Sequence, residues 1–171
     1  ALTEACGHAS YIGVPAGRHY VFLIAVESTR SVRVTIDVGE NRAYHSGAIG
    51  KVLLADLDDD EVIELTGTAP FPQLTPKTIV SPNDLLKEIA EIRQTGVAFN
   101  REESILGASS IAVAIRDSNE RAVAGLAIVF PSHIVDDEEI ARFVPLVQAT
   151  GREISHRLGA LHLDSFEGNS T

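Results

Sequence analysis

The chain has 171 residues, 44% of them hydrophobic and 22% charged, the composition of one globular domain large enough to bury a core without covalent staples. No apolar run approaches the roughly 18 residues of a membrane span, and 14 Lys plus Arg against 24 Asp plus Glu give a formal net charge of −10, a field that repels nucleic-acid phosphates and argues against this piece holding DNA by itself. One cysteine, Cys6, excludes an intrachain disulfide framework and paired-thiol metal binding, and suits the reducing cytoplasm.

The chain opens without an initiator Met on Ala1-Leu2-Thr3-Glu4-Ala5, which reads as the end of a helix, and the sequence is expected to be a fragment of a longer protein. Strands are expected over 8–14, 19–27 and 32–38. The third carries the cleanest pattern: Val32, Val34, Ile36 and Val38 alternate with Arg33, Thr35 and Asp37, the period of a strand with one wet face. From Ser46 the period becomes helical, with Ile49, Val52, Leu53 and Leu57 on one stripe. Asp58 to Asp60 offer N-caps for a short helix through Leu65, closed by Gly67, and prolines mark a loop over 70–76. Ser81 caps the best-defined helix: Pro82 sits in its first turn, Asp84 completes a capping-box-like pair, Leu85, Ile89 and Ile92 face inward, and Gly96 ends it.

Three more strands are expected over 97–103, 110–117 and 122–130, the last two joined as a hairpin through 117–121. On the final strand, alternation sets Ala127 and Val129 on one face and Leu126, Ile128 and Phe130 on the other. A C-terminal helix starting near Asp136 or Asp137 carries Ile140, Val144, Val147, Gly151, Ile154, Leu158 and Leu161 as an a/d seam suited to self-association, with Pro145 expected to kink or divide it. Residues 165–171 read as a disordered tail. Six strands, with helices grouped between the third and fourth and again at the end, give an α+β class: an antiparallel sheet with helices packed around it, one domain over 1–171.

Motifs for chemistry fail one by one. Gly47-Ala48-Ile49-Gly50-Lys51 lacks the Gly that a phosphate loop needs at His45 and the Ser or Thr it needs at Val52. Its glycines read better as points where a loop and a helix start pack closely. Ser109 and Ser110 lack the Gly-x-Ser-x-Gly elbow. The six histidines, His8, His19, His45, His133, His156 and His162, show no metal-ligand spacing, so neither a metal nor a cofactor is expected. Adjacent Glu102 and Glu103 point to opposite sides of a strand and cannot act as a carboxylate pair. No catalytic residue is assigned, and a hydrolase-like enzyme using Ser110 stands only as the alternative.

Taken together, Val38-Gly39, His45-Ser46-Gly47-Ala48-Ile49-Gly50-Lys51-Val52-Leu53-Leu54-Ala55, Thr75-Pro76-Lys77-Thr78-Ile79, Leu85-Leu86, Arg93 with Gly96, Asn100-Arg101-Glu102-Glu103, Gly107, Ser110-Ile111-Ala112 and Pro131-Ser132 resemble the C-terminal domain of IclR-family transcription regulators. The resemblance implies a GAF-like fold, a homodimer or tetramer, a small organic acid as effector, and DNA contact only through an N-terminal winged helix-turn-helix absent from this chain. It also implies an effector pocket lined by Gly47, Ala48 and Ile49, by Asn100 and Ser110, and by Ala127 and Val129. In that pocket the helix-start N–H groups and the Ser110 hydroxyl would bond a carboxylate. Relatives often carry Ser where Ala127 and Val129 stand, so the floor here is apolar, and an aromatic or branched acid is expected to fit better than glyoxylate or pyruvate.

Overall fold

The structure, a computed structural model, describes residues 2–161; the expected tail over 165–171 lies outside them. Six strands, β1 (Ala9–Ala16), β2 (His19–Val26), β3 (Asn41–Ala43), β4 (Ala98–Arg101), β5 (Ala108–Arg116) and β6 (Ala122–Pro131), form one sheet in the order β3-β2-β1-β6-β5-β4. Every neighbouring pair is antiparallel. The class expected from the sequence is therefore the one observed. Two hairpins make up its halves: β1–β2 turns at Gly17, φ 64°, and β5–β6 turns where Asp117 Oδ1 accepts from the N–H groups of Asn119 and Arg121. The β1–β6 ladder, from Ala9↔Val129 to Gly13↔Gly125, zips the halves together.

Helices cover both faces. On one lie α2 (Ala48–Leu54), α3 (Asp59–Thr66) and α4 (Pro82–Thr95), and on the other α1 (Leu2–Cys6) and α5 (Asp137–Arg157). The core divides accordingly. Ile49, Val52, Leu85 and Ile89 pack with Tyr11, Tyr20, Phe22, Ala127 and Val129, while Phe143 and Val147 pack with Ile111, Val113, Leu126, Ile128 and Phe130. The alternation along β6 is the one the sequence predicts. The helix starts also follow it: Asp58 and Glu61 form a reciprocal capping box, Ser81 accepts from the Asp84 N–H, and Asp136 accepts from the Glu139 N–H.

Two expectations need correction. Residues 32–38, with the cleanest strand pattern, form no strand; the edge beside β2 is taken instead by Asn41–Ala43, with Tyr20 opposite Arg42. The alternation is real but serves a different geometry. Val34 and Ile36 turn inward while Val32 and Val38 remain 55% and 59% exposed, and the segment is draped over the sheet. Its backbone is held by a side chain rather than a ladder: Ile36 N–H donates to Tyr11 Oη (3.1 Å), and Tyr11 Oη donates to the Val34 carbonyl (3.4 Å). The second correction concerns α5. Its buried stripe is Phe143, Val147, Gly151 and Ser155, spent on the sheet; Ile140, Val144 and Ile154 only flank that core, and Leu158 and Leu161 lie past the helix, exposed. Pro145 does not divide the helix.

Candidate functional site

The glycines before and within α2 are close-approach positions. A Cβ on Gly47 would lie 2.2 Å from Tyr20 Oη, and one on Gly50 would lie 2.2 Å from the Tyr44 carbonyl oxygen, so only Gly lets the helix start settle against the sheet. Lys51, the residue that gave this stretch its phosphate-loop look, points away from any anion site. Its side chain is 0% exposed, and Nζ donates to Glu88 (2.6 Å), to the Phe99 carbonyl (2.6 Å) and to Glu103 (2.8 Å). It is a strut between α2, α4 and the turn after β4, where Glu102, at φ 64°, and Glu103 lie beyond the strand end at Arg101 and not, as expected, on the strand itself. Thr75 and Thr78 brace the same turn by donating to the carbonyls of Glu102 (2.8 Å) and Glu103 (2.6 Å). Glu102 itself is held by Lys77 and by the Gly107 N–H, which draw its carboxyl below the usual range. The Thr-Pro-Lys-Thr and Glu-Glu motifs are thus architectural.

Between this frame and the sheet lies a small cavity. Gly47, Ala48 and Ile49 approach it from the start of α2, Asn100 from β4, Ser110 from β5, and Ala127 and Val129 from β6. All seven residues singled out in the sequence line it. Tyr20, Phe22 and Arg42 close the β2–β3 end, and Val34 and Ile36 of the draped segment form a lid. The cavity volume is ≈ 20 Å³, room for about one water.

Its polar groups are few and unequal. The hydroxyls of Ser110 and Tyr20 have no hydrogen-bond partner among the described residues, although both side chains are buried. Burial also keeps the Tyr20 phenol protonated well above its usual range, so it faces the cavity as a donor. Asn100 is engaged locally: Nδ2 donates to Ser104 Oγ (2.8 Å) and Oδ1 accepts from the Glu103 N–H (2.8 Å). Its side chain shapes the turn, and one amide hydrogen remains. Arg42, 13% exposed, donates through Nε (2.9 Å) and Nη2 (2.7 Å) to one oxygen of Glu40 and lies 5.5 Å from the Phe22 ring centroid.

Tyr20 and Arg42 were missed in the sequence because placing the third strand at 32–38 left Arg42 in a loop. The signal that would have found them is the register: Arg42 lies directly opposite Tyr20, so both side chains occupy one face. The remaining candidates play no part here. His45 Nε2 meets the Pro72 carbonyl (3.1 Å) and its ring lies 4.9 Å from that of Phe71; His8 is buried between Phe130 and Phe143. Burial lowers the pKa of both. A larger cleft, ≈ 400 Å³, opens between α4, β5 and α5. None of the seven residues lines it, and its Arg93 and Arg116 are bound to Asp59 and Asp56. Among the described residues no cluster suits a metal ion, and no helix is long and apolar enough to cross a membrane.

Comparison with known proteins gives a consistent picture. The family model of the bacterial transcriptional regulator IclR C-terminal domain matches residues 1–156. The HTH-type transcriptional regulator XynR of Escherichia coli K12 is 30% identical over 158 residues, 92% of this chain and 63% of XynR. The solved C-terminal domain of E. coli KdgR superposes with a TM-score of 0.83 at 28% identity, covering 92% of each chain. The inducer-binding domain of a PobR double mutant from Acinetobacter, solved with 3-hydroxybenzoic acid, gives a TM-score of 0.81 at 25% identity over 90% of this chain and 91% of that one. The chain spans 63% of the length of XynR and 53% of E. coli KdgR. These relatives are transcriptional regulators, not enzymes.

Proposed function

Because the chain belongs to the IclR family of bacterial transcriptional regulators and matches that family's C-terminal domain, we propose that it is the effector-binding and oligomerisation domain of such a regulator, sensing a small organic acid. The observation that carries this reading is the convergence of Gly47, Ala48, Ile49, Asn100, Ser110, Ala127 and Val129 on one cavity with an unpartnered hydroxyl in its wall. A hydroxyl left open in a cavity wall is a ready partner for a polar ligand group. The complex of PobR with 3-hydroxybenzoic acid supports an aromatic acid as the class. So does the apolar floor of Ala127, Val129 and Ile49.

Residues 28–40 give the cavity a way to act as a sensor. A cavity of ≈ 20 Å³ admits no organic acid until Val34 and Ile36 move outward, so binding and displacement of this segment are coupled, and that displacement is the signal passed on. DNA is contacted by an N-terminal winged helix-turn-helix outside this chain, and the site of action is the cytoplasm. Self-association uses what the fold leaves uncovered: Leu23, Ile24 and Val26 of β2 are exposed apolar residues on the sheet. The hydrolase alternative gains nothing, since among the described residues no imidazole or carboxylate bonds Ser110.

The test is a thermal-shift panel of monocarboxylic acids at equal concentration. Aromatic and branched acids should raise the melting temperature more than glyoxylate or pyruvate, because small acids leave oxygens unpaired against the floor at about 1–3 kcal/mol each. A panel led by glyoxylate and pyruvate would contradict the assigned class.

A further inference from the structure

Resting on the effector-pocket reading above, we propose that Arg42 and Tyr20 read the effector's carboxylate, at the end of the cavity where β2 and β3 meet Gly47, and that Glu40 is the internal counter-ion this carboxylate replaces. Three observations converge. First, register places the two side chains opposite each other on the cavity face, and a Cβ at Gly47 would touch the Tyr20 hydroxyl at 2.2 Å, so that hydroxyl sits at the start of α2. Second, the Tyr20 side chain is buried, yet its hydroxyl has no partner among the described residues. A phenol in so enclosed a wall is ordinarily bonded, so a hydroxyl left open to the cavity points to an acceptor arriving from outside the chain.

Third, the guanidinium is only half used. Nε and Nη2 converge on a single oxygen of Glu40, Nη1 has no partner among the described residues, and the group is held over the Phe22 ring in a wall that is 13% exposed. A guanidinium offers a planar fork matched to both oxygens of a carboxylate, and here one carboxylate oxygen of a residue on the same turn stands in for it. Glu40 has a more exposed side chain than Arg42, 40% against 13%, so it can swing to water when a better-placed carboxylate arrives.

This assignment orients the ligand. The strands carrying Tyr20 and Ser110 are separated by β1 and β6, about 14 Å at the usual interstrand spacing. A carboxylate at Arg42 therefore leaves its apolar body over Ala127, Val129 and Ile49 and directs its far end, ideally bearing a hydroxyl, toward Ser110. Two- and three-carbon acids reach only one end.

The experiment is calorimetric titration with 3-hydroxybenzoate and with its neutral counterpart 3-hydroxybenzamide, on the wild-type chain and on Arg42→Gln, Tyr20→Phe, Glu40→Gln and Ala127→Phe. Wild type should prefer the carboxylate by at least about tenfold, as expected for a charge-assisted bidentate contact. Arg42→Gln should erase that preference while the amide binds as before. Tyr20→Phe should weaken the carboxylate, and Glu40→Gln, which retains Arg42, should strengthen it. A carboxylate preference that survives in Arg42→Gln overturns the inference, as does wild type that binds no carboxylate at millimolar concentration. If Arg42→Gln does not fold, Glu40→Gln decides: unchanged or weaker carboxylate binding there overturns it. Ala127→Phe separates this inference from the pocket reading. Loss of both probes in that variant with no carboxylate preference in wild type leaves the pocket standing without Arg42, whereas undiminished binding in Ala127→Phe removes the pocket itself.

Discussion

Lys51 shows how a residue can be prominent in sequence and structural in fact. With its side chain 0% exposed between Glu103, Glu88 and the Phe99 carbonyl, it balances a buried carboxylate, Glu103, that no other cation among the described residues neutralises. Lys51→Met should therefore destabilise the domain by about 3–5 kcal/mol in urea denaturation, and adding Glu103→Gln should restore part of the loss. Unchanged stability in the single variant would mean that the strut is dispensable. The two buried histidines set a pH dependence. Burial lowers the pKa of His8 and His45 below the ordinary 6.5, so in the window beneath 6.5 the unfolded chain binds protons that the folded chain refuses. Stability should be level above that value and fall as pH drops through it, by up to about 1.4 kcal/mol per pH unit for each group. His8→Phe should flatten the slope of melting temperature between pH 7 and 5, and an unaltered slope would assign it elsewhere. At this scale the site was partly legible. Ser110, Ala127 and Val129 could be found from resemblance and alternation, but the free state of Tyr20 Oη and the engaged state of Asn100 depend on partners distant in space or turn geometry that no spacing encodes.

Elements whose ends are written in side-chain chemistry were legible, and those defined by what lies across a gap were not. Asp58, Ser81 and Asp136 each cap a helix because a carboxylate or hydroxyl two or three residues ahead of orphan N–H groups satisfies them locally. The three-residue β3 carries no period to detect, and its existence rests on pairing with β2. Conversely, residues 32–38 have the strand period without a strand, since alternation reports which side chains are buried and not which backbone bonds they make. Tyr11 supplies the missing bonds. Tyr11→Phe should cost about 1–2 kcal/mol and, more tellingly, speed hydrogen exchange at the Ile36 amide, which donates to that hydroxyl. Equal protection in both proteins would show that the segment is held by something else. The seam on α5 misled for a related reason: its spacing permits either a partner helix or a sheet, and Phe143, Val147, Gly151 and Ser155 are taken by the sheet.

For the molecule as a whole, the layers are unequal, and that inequality frames both proposed interactions. The outer face of β5 and β6 is covered by α1 and α5, while Leu23, Ile24 and Val26 on β2 are exposed. If self-association uses this strip, light scattering at micromolar concentration should give a mass above that of one chain, and Leu23→Glu with Val26→Glu should reduce it to one; a monomeric wild type contradicts the proposal. The opposite face carries the cavity, whose lid, Val34 and Ile36, belongs to the draped segment that Tyr11 pins. In the function proposed, ligand entry, segment displacement and stability are linked, and an acid that binds only the folded state should raise the melting temperature. The most direct measurement is thermal unfolding of the wild-type chain and of Ala127→Phe, which fills the cavity floor, with 3-hydroxybenzoate at ten times its dissociation constant for wild type. The wild type should gain about 3–6 °C, corresponding to about 1.4 kcal/mol, and the filled variant should gain nothing. An equal gain in both proteins would place the acid outside this cavity and contradict the assignment of the site.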